Sequence, residues 1–204
     1  VIQLLAQRYP GVVPSVDAGA TDTVLGKLID RSLDLVVARG GERLADDRVM
    51  DQLNIDVLFD DELVVVAGAQ SKWARRREID LTELANERWI LSAPGTWNHI
   101  VVEEAFRARE LELPKIGLST LSIHLRTNLL SSGHFITVLP RSVLTLYQER
   151  FALQILPVRL PTRPWPVTVV TLKNRTLNPV AEHFLACARE VAKLFVPRSR
   201  VRKA

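Results

Sequence analysis

Apolar and polar residues alternate along this chain with two different periods. Segments such as "LDLVVA" and "ELVVVAGA" are short, rich in valine and almost wholly apolar, which is typical of buried strands. Between them lie stretches such as "TDTVLGKLIDRS", in which apolar residues recur every three or four positions and form one face of a helix. This exchange of strands and helices predicts an α/β protein with mostly parallel sheets covered on both faces.

The predicted elements follow one another through short connections. There are too many strands, with too few residues between them, for a barrel of eight βα units. In chain order the elements are a helix ending at "YPG", the strand "VVPSVDA", the helix "TDTVLGKLIDRS", the strands "LDLVVA", "NIDVLF" and "ELVVVAGA", the short helix "DLTELAN", the strand "RWILSA", a helix from about Thr96 to Arg109, the strand "KIGLS", the helix "SIHLRTNLLSSG", the strand "FITVLP", the helix "SVLTLYQERF", the strands "LQILPV" and "PVTVVTL", and the helix "NPVAEHFLACAREVAKLF".

Two strands have unusual surroundings. "ELVVVAGA" and "PVTVVTL" each begin beside a charge or a proline, and about a hundred residues of complete α/β pattern separate them. Paired crossover strands that join two lobes would give this pattern. We therefore predict lobe I at residues 1–66 and 170–204, and lobe II at residues 67–169.

Composition narrows the class of protein. With 204 residues, 47% hydrophobic and 25% charged, the chain has the composition of a soluble globular protein of one or two domains. The sequence shows neither a membrane-length apolar run nor a signal peptide, and the lone Cys187 excludes an internal disulfide, so we expect a cytoplasmic protein. A net charge of +4 permits anionic partners without requiring them. We expect the basic tail "PRSRVRKA" to be solvated, and Cys187 to lie in the core.

The stretch "SAPGTWNHIVVEEAF" raises a question about charge. Pro94 and Gly95 end a strand, and Thr96 is a good N-cap for the helix that follows. A helix N-terminus is partly positive and usually carries an acid in its first turn, yet here no acid occurs before Glu103. A group from outside the chain could therefore lie on this helix end.

Three longer segments carry a family resemblance. "LLAQRYPGVVPSVDAGATDTVLGKLIDRSLDLVVA", "LFDDELVVVAGAQSKWA" and "LLSSGHFITVLPRSV" follow one another in the chain. Their order and spacing resemble the effector-binding region of LysR-type transcriptional regulators, over nearly the whole chain. The resemblance implies the type 2 periplasmic binding protein fold, in which two Rossmann-like lobes joined by two crossover strands enclose a ligand cleft.

The sequence departs from the family pattern in two places. His134 and Phe135 stand where the family has a small or apolar residue and a glycine, which predicts a reshaped pocket floor. The chain also starts inside the family's first helix. We therefore expect it to lack the preceding strand, which forms one wall of the cleft, and the winged helix-turn-helix domain that reads DNA.

The resemblance places several polar loops at the cleft. Ligands of open parallel sheets gather outside the carboxyl ends of strands, where helix N-termini point. No Asp or Glu occurs between Leu113 and Gln148, so the local field should favour an anion. The predicted ligand-binding residues are Thr21, Asp22, Arg39, Thr96, Trp97, Thr120, Ser122, His124 and Phe135, and the acid-free stretch contains the cations Lys115, Arg126 and Arg141.

Each candidate also has a purely structural interpretation. Thr96 and Ser122 could serve only as N-caps, and Trp97 could be a packed lid rather than a surface for stacking on a ring or sugar. His124 could be a packed histidine, and Phe135 could belong to the core. Arg39 could bind a ligand carboxylate or one of Glu42, Asp46 and Asp47, while His99 and His134 are expected at the surface or in supporting positions.

Catalysis has little support in the sequence. The four histidines occur singly without metal-ligand spacing, and neither a glycine-rich phosphate loop nor a G-x-S-x-G elbow is present. We therefore expect neither an enzyme nor a metal or other cofactor. The basic cluster Arg75–Arg77 is too short and too close to acids for direct nucleic-acid binding, and we expect it to be a solvated linker.

The favoured function is that of a ligand-sensing, dimerising module of a LysR-type transcriptional regulator. Its expected partners are a small organic anion or sugar as effector, a second copy of the chain (with a tetramer in the full-length protein), and DNA only through the winged helix-turn-helix domain, with no membrane. A solute-binding protein of an uptake system is the alternative. We expect the dimer contact to use apolar residues of the first and last helices, namely Ile2, Leu4, Leu5, Val191, Leu194 and Phe195.

Overall fold

The structure is a computed structural model that describes residues 1–40, 46–161 and 163–195. Glu42, considered above as a partner of Arg39, and the basic tail lie outside these residues. The helices are α1 (Ile2–Arg8), α2 (Thr21–Ile29), α3 (Asp47–Met50), α4 (Trp97–Arg107), α5 (Ile123–Leu130), α6 (Arg141–Tyr147) and α7 (Pro179–Ala192). The strands are β1 (Val36–Arg39), β2 (Leu53–Asp61), β3 (Leu63–Gly68), β4 (Trp89–Leu91), β5 (Ile116–Ser119), β6 (Ile136–Pro140), β7 (Leu153–Ile155) and β8 (Trp165–Leu172).

The chain divides into two compact units. Unit 1 comprises Val1–Asp61 and Trp165–Ala204, and unit 2 comprises Glu62–Pro164. Both boundaries lie a few residues before the lobe boundaries expected from the sequence. The reason is that the whole of β3 pairs with strands of unit 2, whereas β8 pairs with strands of unit 1 from its first residue.

Unit 1 is built on a sheet with the order β1-β8-β2. The strand β8 runs antiparallel to both neighbours, so that Val170 lies opposite Val36 on one side and Ile55 on the other. The helix α2 covers this sheet through the buried side chains of Leu25 and Leu28. The helix α1 packs against α7, and its Leu5 is buried within the unit, so Leu5 is not part of an exposed dimer surface.

Unit 2 is built on a sheet with the order β5-β4-β6-β3-β7. The strand β4 pairs in parallel with β5 and β6, and β3 runs antiparallel to β6 and β7. Because β3 is buried on both faces, its side chains alternate between two cores. One core packs Val65 against α4, and the other packs Val64 and Val66 against α5 and α6.

The two Val-rich strands explain where the predicted pairing differs from the structure. In each sheet a single strand runs antiparallel to the others. That strand is β3 in unit 2 and β8 in unit 1. The remaining strands of each sheet run in one direction, as the α/β pattern predicted. The hydrogen-bonded pairs that involve β3 or β8 are antiparallel, and each of these two strands begins just after the chain passes from one unit to the other.

Two local predictions differ from the structure, and one short helix was not predicted. The segment "VVPSVDA" forms no strand: its Val13 and Val16 are 92% and 69% exposed, so they gain nothing from burial, and Pro14 has no N–H to donate to a ladder. The segment "DLTELAN" forms a single 3-10 turn, Leu81–Leu84, closed by a capping box from Asp80. The short helix α3 was not predicted, although Asp46 caps it.

One close approach fixes α5 on the sheet of unit 2. Gly68 at the end of β3 lies against the backbone of Leu130, and a Cβ atom at this glycine would be 2.0 Å from the Leu130 carbonyl oxygen. No other residue type fits there without moving one of the two backbones. The absence of a side chain at Gly68 therefore sets the position of the helix that carries Arg126.

None of the helices within the described ranges is both long and apolar enough to cross a lipid bilayer.

Candidate functional site

The helix α4 begins just beyond the carboxyl end of β4. Ser92 follows the strand and is buried, and Pro94 and Gly95 form the turn into the helix. Gly95 has a φ of +81°, a conformation that side chains disfavour, and Thr96 is the N-cap residue with extended backbone angles. The N-terminus of α4 therefore lies next to the strand end, as the sequence predicted.

Thr96 does not cap the helix with its side chain. Its hydroxyl donates a 2.7 Å hydrogen bond back to the carbonyl oxygen of Ala93. An N-cap side chain would normally accept from the second or third helical amide, which here belong to Asn98 and His99. Since the first turn also contains no acid, the positive end of the α4 dipole has neither a side-chain cap nor a carboxylate. The interpretation of Thr96 as a side-chain cap is thus wrong.

His99 fastens the first turn of α4 to the end of β4. Its Nδ1 lies 3.2 Å from the backbone carbonyl oxygen of Ser92, and both residues are buried. The tautomer with a proton on Nδ1 donates this bond. His99 was expected at the surface or in a supporting position, and the buried bond shows that it supports Ser92.

The loop after β5 lies beside the same strand end. The amide of Thr120 donates to the carbonyl oxygen of Leu91 at 2.9 Å, and the Thr120 hydroxyl accepts a 3.1 Å bond from the amide of Ser122. The hydroxyl of Ser122 accepts from the amide of Leu125 at 3.2 Å. Ser122 is therefore the side-chain N-cap of α5, as one of its two interpretations predicted.

Arg126 reaches from α5 to the ends of both strands. Its Nε and Nη2 donate to the carbonyl oxygen of Thr120 at 3.2 and 2.5 Å, and Nη2 also donates to the hydroxyl of Ser92 at 2.5 Å. The residue is 1% exposed, and burial lowers the pKa of its guanidinium to about 10, so it is charged at neutral pH. The sequence predicts only that Arg126 contributes to the local field. In the structure its guanidinium donates hydrogen bonds to the residues that follow β4 and β5.

Sequence reasoning missed Ser92 and the position of Arg126. One signal could have revealed the arginine: Arg126 lies three residues after Ile123 and four before Leu130, on the inward face of α5. A charged residue on such a face needs an explanation. The other two cations of the acid-free stretch differ from it, since Arg141 pairs with Glu62 and Lys115 is exposed.

The structure thus gathers part of the predicted set at one edge of the sheet. Thr96, Thr120 and Ser122 lie around the carboxyl ends of β4 and β5. Trp97, in the first turn of α4, is half-buried and packs against the core on that side of the sheet. His124 is exposed and bonds to Asn128, with its ring edge-on to Phe151, so it lies on the face of α5 away from Arg126.

Phe135 lies at the opposite end of the strands. It directly precedes β6, which is parallel to β4, so it marks the amino edge of this part of the sheet. Its ring packs against Gly117 near the start of β5, and it joins the core beneath α5. The neighbouring His134 lines a surface cavity of about 440 Å³ with Asn86 and Arg88. The site at the carboxyl edge therefore does not include Phe135.

The remaining candidates belong to unit 1. Thr21 and Asp22 form the start of α2, where the N-cap Ala20 offers no side-chain cap and Asp22 is the acid of the first turn. Arg39 donates to Asp61 at 3.2 Å, and this carboxylate is buried. Asp61 was not among the partners considered for Arg39, because it lies at the far end of another strand.

Other sequence expectations concern charge and metal. Arg75–Arg77 are exposed, and Arg76 pairs with Glu83, as expected for a solvated linker. Cys187 is buried in α7, as predicted. Within the part of the chain that the structure describes, no group of three or more His, Cys, Asp or Glu side chains could hold a metal ion.

Residues 1–193 match the family described as LysR substrate binding domain. The chain belongs to this family. The match confirms the resemblance seen in the sequence, and it supports a ligand-sensing module of a LysR-type regulator over a solute-binding protein of an uptake system.

Individual relatives of this LysR domain agree with the assignment. The HTH-type transcriptional activator CmpR of Synechocystis is 28% identical over 107 residues, which are 52% of this chain and 33% of that protein. The chain thus matches about a third of the length of this relative.

Two solved structures share the fold. The regulatory domain of Synechocystis CcmR in complex with 2-PG has a TM-score of 0.76 at 22% identity, covering 94% of this chain and 89% of that one. The effector binding domain of QuiR in complex with shikimate has a TM-score of 0.72 at 20% identity, covering 96% and 91%. The type 2 periplasmic binding protein fold expected from the sequence is therefore confirmed.

Proposed function

We propose that this LysR domain senses a small organic anion or a sugar at the carboxyl edge of β4 and β5 in unit 2. The observation that carries the proposal is the N-terminus of α4, which has neither a side-chain cap nor a first-turn acid and lies beside Ser92 and Thr120. Helix N-termini of this kind bind anions, because their free amides point outward and their dipole favours negative charge.

Ligands of related domains support this choice of effector. The CcmR domain was solved with 2-PG and the QuiR domain with shikimate, both small molecules. In this chain, Thr96, Thr120 and Ser122 place hydroxyls around the strand ends, and Trp97 lies half-buried in the first turn of α4. The contributions of Thr21, Asp22 and Arg39 in unit 1 stay predictions.

In the intact protein we propose that effector binding changes transcription. A ligand shifts a conformational equilibrium only by its difference in affinity for the two states, so the module regulates by binding one state better. We propose a homodimer, with a tetramer in the full-length protein, that reads DNA through a winged helix-turn-helix domain in the cytoplasm. The module itself binds without catalysis and without a cofactor.

A two-stage experiment tests the proposal. The first stage is a thermal-shift screen of organic acids and sugars, because a ligand at 100 times its Kd adds about 2.7 kcal/mol to stability. The second stage locates the hit by following the backbone amides of Asn98 and His99 in ¹⁵N-labelled protein. We expect these amides to shift on binding. A hit that leaves both unchanged would place the effector elsewhere.

A further inference from the structure

The guanidinium of Arg126 is buried without a compensating charge. The residue is 1% exposed, and among residues 1–40, 46–161 and 163–195 no carboxylate pairs with it. Its Nε and Nη2 have acceptors, but Nη1 is buried with no hydrogen-bond partner. Burying a charge is costly unless it is paired, so a protein that keeps one usually has a use for it.

We propose that Arg126 is the residue that binds a carboxylate or phosphate group of the effector, and that the effector is therefore an anion rather than a sugar. This inference rests on the proposed function and deepens it, because it selects one of the two ligand classes left open above.

Hydrogen bonds place Arg126 at the start of α4. Ser92 is bonded twice: its hydroxyl accepts from Arg126 of α5, and its carbonyl oxygen lies against His99 in the first turn of α4. Ser92 therefore contacts both the unpaired guanidinium and the first turn of the uncapped helix. These are two independent positive groups at one strand edge, and no described carboxylate neutralises either of them.

The donors match an anionic oxygen group. Arg126 Nη1 has its protons free, and the hydroxyl of Ser92 accepts from Arg126 and so keeps its own proton to donate. The amides of Asn98 and His99 point out of the helix end. The carbonyl oxygen of Thr120 holds the other side of the guanidinium and orients it. A sugar hydroxyl could accept one of these bonds but would leave the buried charge uncompensated, whereas an anion compensates it.

The experiment is a titration of ¹⁵N-labelled protein with inorganic phosphate and, separately, with sodium propionate, each against sodium chloride at equal ionic strength. The signals followed are the Arg126 Nε–H and the amides of Asn98 and His99. The variants are Arg126→Met, Arg126→Lys and Arg107→Met. Arg107 is the matched control, an exposed arginine at the far end of α4 that pairs with Glu103.

We expect phosphate or propionate to shift all three signals in the wild type and in Arg107→Met. In Arg126→Met the apparent Kd from the two amides should rise at least tenfold, and in Arg126→Lys it should rise less. Which anion binds more tightly distinguishes a phosphate from a carboxylate ligand. If Arg126→Met does not fold, the wild-type Nε–H signal and Arg126→Lys still decide the question.

Two results would overturn the inference while separating it from the proposed function. The first is an anion Kd, read from the amides of Asn98 and His99, that is the same in the wild type and in Arg126→Met. This result would show that Arg126 does not bind the anion, and it would still support a binding site at the N-terminus of α4. If neither anion shifts any of the three signals but a neutral sugar shifts the two amides, the module senses a neutral ligand. If nothing shifts them, both proposals fail together.

Discussion

The guanidinium of Arg8 donates two hydrogen bonds to the carboxylate of Glu190, at 2.7 and 2.9 Å. This bidentate pair joins α1 to α7 within unit 1, beside the stacked rings of Tyr9 and His183. The hydrogen bond from Arg8 lowers the pKa of Glu190 and raises the pKa of Arg8. Both side chains are about half exposed, so the pair is a modest and salt-sensitive contribution to stability.

The lowered pKa of Glu190 predicts a pH dependence. A carboxyl whose pKa is lower in the folded state stabilises the protein above its unfolded pKa, and this stabilisation is lost as the pH falls through the folded value. Glu190→Gln should therefore lower the Tm at neutral pH, and the difference from wild type should shrink below the ordinary glutamate pKa and vanish once the pH is below the lowered pKa of the folded state. Thermal unfolding between neutral and acid pH measures this, with Glu104→Gln on the exposed face of α4 as the control. A difference that persists at the lowest pH would show that charge is not the cause.

Removing the charge of Arg126 should change the stability of the free protein only slightly. Arg126→Met keeps an apolar stem and relieves the buried charge, but it leaves the acceptors of Thr120 and Ser92 without this donor. We expect the free energy of unfolding to stay within about 2 kcal/mol of the wild type, because relief of the buried charge offsets the loss of these hydrogen bonds. Urea denaturation without ligand measures it, with Arg107→Met for comparison. A loss of more than about 2 kcal/mol would mean that the hydrogen bonds outweigh the desolvation of the charge.

Thr96→Asp should stabilise the protein and weaken the binding of the effector. An aspartate at the N-cap can accept from the amides of Asn98 and His99, which the threonine leaves uncapped, and this adds about 1 kcal/mol. The same carboxylate occupies the place proposed for the ligand anion, so the effector Kd should rise at least tenfold. Calorimetric titration with the effector found in the screen measures its Kd for Thr96→Asp and for Trp97→Ala. A sugar stacked on Trp97 would show the reverse order of losses.

Gly68→Ala should disturb α5. The new methyl carbon would lie 2.0 Å from the carbonyl oxygen of Leu130, so β3 or α5 must shift, and we expect a loss of about 3 kcal/mol or more. Gly26→Ala is the matched control: nothing lies within 4 Å of its new methyl in α2, and it should gain about 0.5–1 kcal/mol. Thermal unfolding of both variants tests the pair, and similar Tm values would contradict the packing described for Gly68.

The described surface of unit 1 supports the predicted dimer. Leu194 and Ile2 are 80% and 40% exposed, and lie beyond the end of α7 and in α1. We expect the chain to run as a dimer at tens of micromolar, and Leu194→Glu to shift it toward the monomer. Size exclusion with light scattering measures the mass. Leu113→Glu, at an exposed leucine of unit 2, should leave the dimer intact, and a monomeric wild type would refute the prediction.

The sequence predicted the elements whose hydrophobic periodicity depends only on residues close together in the chain. Helix stripes and apolar runs placed α2, α4 and β3 within a few residues, because their periods depend on near neighbours in the chain. The segment "VVPSVDA" resembles a strand by composition, but a strand forms only with a partner, and composition does not identify partners. Strand direction was missed for the same reason, since the neighbours of β8 lie far away in sequence.

The candidate site was predictable at its helix ends and less so at its centre. Ser122 and the acid-free first turn of α4 are local features that the sequence shows directly. The bond between Arg126 and Ser92 joins residues 34 positions apart, and no local rule predicts it. For Phe135, which stands where the family pattern has a glycine, the sequence left the core and the pocket open, and its place before β6 puts it at the amino edge of the sheet.

The central place of β8 in its sheet sets an order of events during synthesis on the ribosome. β1 and β2 leave the exit tunnel before all of unit 2, yet the strand that hydrogen-bonds to both of them is made more than a hundred residues later. Unit 2 is one continuous segment and can complete its sheet first. Until β8 emerges, the edges of β1 and β2 that it will occupy are open to other chains, so nascent unit 1 is exposed to incorrect strand pairing for longer than unit 2.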